Sequence, residues 1–437
     1  MGSEGTIGGS NVSPLPCPLL CRLCRGEPPP VTRRNLICIA VERLHAGTVG
    51  AYGNSWIGTA AIDELASQSF VFDQAYLEHT ALDEFYRAAW YGSRTVSLQL
   101  AAESQRSLPQ LLGTAGWHTA LVTDSAEVAS WLPTAEFGEQ LLVEPAEDPN
   151  SADEAAETEL ARLFSTATQW LAQPPREPFC LWMHSRGMCG AWDAPLAMRN
   201  RFAEEDDPEP PKLVVPPNHW LPDEFDPDEP LGIKHAYCGQ VVLLDMCLGA
   251  LVDQILEGPL AENTAIALVS TGGYPLGEHR RIGPCDEALY NEIAQLVMLL
   301  RFPDGLGGLA RSQTLVQPTD LPGTLIDWLG LNRADLGDGT ASSLLPIIQG
   351  VKRFGRDHLR MTSRHDRALR TRAWHLRQPL TGAAELYAKP SDRWEVNEVA
   401  GLLHEVSEGM QAVLAAEVES PGAEVLPLAE LLTTEVD

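Results

Sequence analysis

Residues 35–92 read NLICIAVERLHAGTVGAYGNSWIGTAAIDELASQSFVFDQAYLEHTALDEFYRAAWYG. Residues 36–41 are a short apolar run with two isoleucines, bounded by polar residues. A run of that length predicts a strand buried on both faces, as in a parallel sheet, better than a helix. Residues 57–68 carry Ile62, Leu65 and Ala66 at helical spacing. Residues 70–75 alternate large and polar side chains as a strand does. In an α/β sheet, ligands gather beyond the carboxyl ends of the strands. The segment Val41-Glu42-Arg43-Leu44-His45 is therefore where a site is expected.

The same grammar continues outward. A helix is expected over 99–112, and Gly113 to His118 turns the chain into a strand at 119–122. Residues 141–143 form a further short strand, and 153–172 an amphipathic helix ended by Pro174-Pro175. A strand at 179–183 ends at His184-Ser185-Arg186-Gly187. Residues 203–232 are a long loop rich in proline and acid. A helix at 237–257 precedes an apolar strand at 263–270, which ends at Thr271-Gly272-Gly273. A strand at 296–301 and a helix at 319–329 complete the alternation. Beyond residue 350 the pattern changes to antiparallel strands near 367–376 and 384–387. A helix at 396–418 follows, with Leu402, Leu403, Val406 and Met410 facing inward.

The expected organisation is a leader over 1–30, an α/β domain over 31–350 and a C-terminal subdomain over 351–437. That subdomain is expected to hold a small antiparallel sheet, a helix and an acidic tail. The expected fold class is α/β, a mainly parallel sheet flanked by helices with a small C-terminal α+β subdomain.

Of 437 residues, 31 are basic and 60 acidic, a formal charge of −29. Nucleic acid and anionic membrane would repel such a chain, so neither is expected as a partner. No segment approaches the roughly 18 continuous apolar residues of a membrane span. The N-terminus has neither a basic nor an apolar region of the kind that begins a secretory signal. Nine cysteines, an odd number, are scattered along the chain. Cys38, Cys180, Cys238 and Cys247 lie in apolar patterns, as buried thiols in a reducing cytoplasm would. Cys17, Cys21 and Cys24 share the spacing of an iron–sulfur triplet, but in a Pro-rich context with no preceding strand. Incidental thiols fit them better, and a zinc site would need a fourth ligand.

Several phrases, in order, resemble the sulfatase family of the alkaline phosphatase superfamily. They are His45-Ala46-Gly47 through Ala51-Tyr52-Gly53-Asn54, then Ile62-Asp63-Glu64-Leu65-Ala66, and Phe70 through Ala75-Tyr76. Gly116-Trp117-His118-Thr119 follows. Next come Leu244-Asp245, Asn263-Thr264, Ser270, Leu276-Gly277-Glu278-His279, Leu289-Tyr290-Asn291-Glu292 and Arg301-Phe302-Pro303. Arg370-Thr371 with Trp374, then Glu385-Leu386-Tyr387, close the series. The resemblance spans residues 31–400 and implies a sulfatase-like fold.

It also implies a divalent cation, usually calcium, held by carboxylate and amide oxygens at two strand ends. Here those positions read Val41-Glu42 and Thr271-Gly272. The family's nucleophile, a Cys or Ser matured to formylglycine, falls on Leu82 or Asp83. Its active-site lysine falls near Pro284, and the second histidine of its H-x-x-H falls at Gly187 while the first matches His184. Sulfate-ester cleavage needs a placed nucleophile and positive charge against the developing anion. The expectation is a sulfatase-like protein without sulfatase catalysis, whose cleft binds a small molecule or a protein partner. No cofactor is expected, and calcium only if the site is rebuilt.

The alternative is a hydrolase of sulfate or phosphate esters with a new constellation. It would draw on Glu42, His45, His184 and His279, with Arg87 or Arg186 holding an anion; Glu42, Asp83 and a histidine could instead hold a transition metal. Thr80 is the nearest hydroxyl to the lost nucleophile. Each residue also has a structural reading. His184 would bond to backbone, Glu42 would pair with an arginine, and His279 would be a packing residue. Asp83 and Glu84 would form an acidic first helical turn.

Overall fold

The computed structural model describes residues 34–93, 98–147, 149–173, 177–284, 288–339, 341–419 and 432–433. The expected leader and its Cys17, Cys21 and Cys24 lie outside the described residues. The central strands are β1 (Asn35–Val41), β2 (Phe70–Ala75), β3 (His118–Thr123), β4 (Glu139–Leu142) and β5 (Phe179–Ser185). They continue with β6 (Thr264–Ser270), β7 (Met298–Arg301) and β8 (Ala310–Val316). These eight form one sheet in the order β8-β2-β7-β6-β1-β5-β3-β4. Only β7 runs antiparallel, to both β2 and β6.

Strand β1 lies in the middle, parallel to β5 and β6, and all seven of its residues are buried. Its side chains alternate between two cores. Leu36, Cys38 and Ala40 join the one with Trp90 and Trp182, while Ile37, Ile39 and Val41 join the one with Tyr237 and Leu268. The first core is covered by helices α2 (Leu82–Tyr91) and α5 (Asp320–Leu329), the second by α1 (Ala60–Ser67), α3 (Glu159–Ala172) and α4 (Asp228–Leu256).

Several boundaries differ from the sequence expectation. Helix α1 starts at Ala60 rather than at 57 because Asp245 of α4 reaches across and accepts the amides of Ile62 (2.8 Å) and Ala61 (3.2 Å). The helix expected at 99–112 is two helices, Leu98–Ser104 and Leu108–Thr114; Ser107 caps the second by accepting from Gln110 N at 3.2 Å. Helix α4 begins nine residues earlier than expected, inside the acidic segment, and is long and apolar enough to cross a bilayer by length and composition. That corrects the reading that no segment qualifies. Here α4 is a core helix, with Tyr237, Val241, Leu244, Leu248 and Leu251 buried.

Residues 358–388 form a four-stranded antiparallel sheet, β9 (His358–Thr362), β10 (Asp366–Thr371), β11 (Trp374–Pro379) and β12 (Glu385–Ala388). The last helix, α6 (His404–Glu419), starts eight residues after the expected 396. Leu402, expected inward, is 80% exposed, whereas Val406 and Met410 are buried against this sheet.

A buried polar seam ties this sheet to the loops of the large one. His375 Nε2 donates to Leu289 O (2.9 Å), and Asp366 accepts from Leu289 N (3.1 Å). Glu395 accepts from Asn291 N (2.7 Å) and pairs with Lys389 (2.7 Å). His279 Nδ1 bonds Glu292 (2.8 Å), its Nε2 donates to Glu395 O (3.1 Å), and its ring stacks on Tyr290 at 3.6 Å.

Candidate active site at the carboxyl edge of the sheet

Strands β1, β5 and β6 deliver their last residues side by side, Val41 beside Ser185 and Ser270. The chain leaving β1 is pinned at once. Glu42 N donates to Ser185 O (3.0 Å), and Met188 N donates to Glu42 O (3.0 Å). This wrap requires glycine at 187. Its φ is +49°, and a β-carbon there would meet Glu42 O at 2.6 Å. The histidine expected from the family pattern has no room at this position.

Glu42 and His184 come together as the sequence suggested, with His184 Nε2 3.2 Å from Glu42 Oε1. The geometry is not that of a hydrogen bond, and Nε2 has no bonded partner within the chain. The other ring nitrogen, Nδ1, is 2.6 Å from the Tyr86 hydroxyl, which accepts from Trp182 Nε1 at 3.4 Å. With the ring proton on Nε2, the side facing the Glu42 carboxylate, Nδ1 accepts from the Tyr86 hydroxyl. The ring is wholly buried. His184 is thus held by a side chain, not by the backbone bond of its structural reading, and Glu42 pairs with this histidine rather than with an arginine.

The remaining candidates separate. Arg87 is buried and spent on Glu84 (2.6 Å), Glu78 (3.5 Å) and the Ser93 carbonyl, so it holds no ligand. Asp83 is exposed on the first turn of α2, and Leu82 beside it is half-buried. His279 belongs to the polar seam, as its structural reading had it. His45 is buried with its amide donating to the Tyr237 hydroxyl (2.9 Å), and burial lowers its pKa. Thr80 is buried with its hydroxyl unpartnered.

Four residues at this edge went unread in the sequence. Asp124, after β3, accepts from Arg186 N (2.7 Å), and burial pushes its carboxyl up to about 6. Tyr86 orients His184. The Cys189 thiol lies beside Glu42; burial and the Glu42 charge push its pKa well up. Arg43 has a left-handed backbone, φ 56°, and turns its side chain back over the strand ends. Its Nη2 donates to Thr80 O at 2.9 Å. A β-carbon on Gly272 would lie 3.0 Å from Arg43 Nη1 and 3.4 Å from its Cζ, so the guanidinium fills the space of a side chain at 272. The signal for Arg43 was present in the segment expected to form the site, but its direction depended on one backbone angle.

These residues do not suit calcium, which takes about six to eight oxygen ligands. Val41 and Gly272 offer no side-chain oxygen, and a guanidinium fills the space beside Gly272. Among the described residues, no three His, Cys, Asp or Glu side chains converge on a metal position.

A mostly parallel eight-stranded sheet, helices on both faces and a small antiparallel C-terminal sheet define the architecture of the alkaline phosphatase superfamily. A family model described as Sulfatase matches residues 34–331, and the chain belongs to the sulfatase family. It is 22% identical over 379 residues to a Delta 4,5-hexuronate-2-O-sulfatase of Bacteroides thetaiotaomicron, covering 76% of this chain and 75% of that protein. It superposes with TM-score 0.70 and 16% identity on a protein solved with its substrate D-glucosamine-2-N,6-O-disulfate, covering 90% of this chain and 99% of the other. It superposes with TM-score 0.69 and 16% identity on the phosphonate monoester hydrolase of Agrobacterium radiobacter, covering 89% and 96%.

Proposed function

We propose that this chain is a non-catalytic member of the sulfatase family whose retained cleft binds a ligand, a small molecule or a protein partner. The observation that carries the proposal is the state of the expected nucleophile position and of the hydroxyl and thiol nearest to it. The position expected to hold one reads Leu82 or Asp83, the first apolar and the second exposed. The Thr80 hydroxyl is buried with no base in hydrogen-bond reach, so nothing can take its proton. The Cys189 thiol is kept protonated by burial and by the neighbouring Glu42 carboxylate.

A second reading, an ester hydrolase with a rebuilt site, draws on the His184–Glu42 contact of 3.2 Å. In that reading the Glu42 carboxylate is the base for a water beside the pair, and the imidazole orients it. Assays with aryl sulfate, aryl phosphate and phosphonate monoester substrates separate the two readings. No turnover above background is expected from the wild type. Turnover that vanishes in Glu42→Gln or His184→Ala would establish the second reading instead.

A further inference from the structure

The misfit with calcium has a positive counterpart. Val41 and Gly272 stand where cation ligands are expected, and the residue between the two strand ends is a cation itself. Three features place the Arg43 guanidinium there. Its backbone adopts a left-handed angle, φ 56°, that is strained for a non-glycine residue and persists only where the surroundings hold it. Gly272 leaves the volume that Nη1 and Cζ fill. The Thr80 carbonyl fixes Nη2 and leaves Nη1 buried without a partner.

We propose that the Arg43 guanidinium has replaced the divalent cation, giving the cleft a fixed, metal-independent positive charge for a tetrahedral oxyanion. The ligand group is a sulfate or phosphate, free or as a monoester. This rests on the non-catalytic reading above. Arg43 Nη1 is a donor only, and a guanidinium stays charged at every accessible pH. Two further groups at this edge have protons to give, the Thr80 hydroxyl and His184 Nε2–H, which makes no hydrogen bond although Glu42 Oε1 lies 3.2 Å away. Each unpaired buried donor is costly, and an acceptor-rich anion supplies what they lack. Arg186 adds a second guanidinium at the edge, on a backbone anchored by Asp124. Glu42 is the opposing charge. It faces His184 and Cys189, and it makes a prediction of opposite sign available.

The test uses the full-length protein stripped with EDTA and titrated calorimetrically with inorganic sulfate and inorganic phosphate, with chloride at matched ionic strength as control. Binding of at least one oxyanion, unchanged by added calcium, is expected. Arg43→Gln should weaken it about tenfold or more, the loss of a charged hydrogen bond, and Glu42→Gln should tighten it. Metal analysis of the native protein needs no variant. Stoichiometric divalent metal, a calcium-dependent rise in melting temperature, or wild-type oxyanion affinity in Arg43→Gln would each overturn the proposal. So would failure of both anions to bind the wild type beyond chloride. Ester turnover by metal-free protein would instead remove the non-catalytic reading and leave the metal replacement standing.

Discussion

At the scale of single residues, this site is built by pinning rather than by pairing. Arg186 is aligned through its backbone amide, which forces Asp124 into the interior. Its ordinary carboxyl value of 3.8 is pushed up to about 6, with burial the largest cause. A folded-state pKa above the unfolded one means that the native state binds more protons between those values. Stability then falls as pH rises from 4 to 6, and the full penalty, about 3 kcal/mol, applies above pH 6. Asp124→Asn keeps an acceptor for the amide and removes that penalty. Urea unfolding at pH 8 is expected to find the variant more stable than wild type, with the difference shrinking toward pH 4; equal stability at pH 8 would contradict the burial argument. The residue types at the matched positions were legible in sequence, and residue type alone decides whether a side chain can coordinate or attack. Val41 and Gly272 needed no structure. What replaces them was not legible, since the direction of Arg43 turns on φ and the orientation of His184 turns on Tyr86, which approaches from a different element.

At the scale of elements, most strands and helices followed from periodicity, and the errors fell where a distant group sets a boundary. Asp245 delays the start of α1 from 183 residues away in sequence, which no local pattern records. The C-terminal sheet is held to the loops after β6 by the seam around Glu395. His375 is buried, and that burial lowers its pKa to about 4 despite the Glu395 carboxylate 3.9 Å away, so the ring is neutral and the contact is not an ion pair at neutral pH. Glu395 lies below its ordinary value, its ion pair with Lys389 outweighing the effect of burial. Both shifts act in one direction. The unfolded chain takes up protons first, so stability is present above pH 6.5 and drains as pH falls toward 4. Hydrogen exchange over residues 358–388 should accelerate on that descent more than exchange in β1 and β5. Glu395→Gln, which leaves Lys389 buried without its charge, should cost about 3 kcal/mol at pH 7. An unchanged melting temperature in that variant would show that the seam does not hold the sheet.

At the scale of the whole molecule, a formal charge of −29 repels itself. Added salt shortens the reach of that repulsion to roughly 8 Å at physiological strength. Sodium chloride is therefore expected to raise the melting temperature from its low-salt value, and a flat response would mean that the charges are already locally balanced. The same scale gives the Arg43–Gly272 contact a further meaning, about the route by which this chain could change. A Gly272→Asp substitution would hand its carboxylate to the guanidinium 3.0 Å from its β-carbon, forming an internal ion pair instead of a metal ligand. Val41→Asp would bury a second carboxylate beside Glu42, and the Arg43 guanidinium would have to serve both. Neither step gains anything until Arg43 is also gone, and removing Arg43 first empties a space that nothing else fills. Reversal has to pass through forms worse than either end. On the metal replacement proposed above the site acts as a ratchet, and a lineage that crossed this point would find it easier to elaborate the cleft built on Arg43 than to recover a metal site.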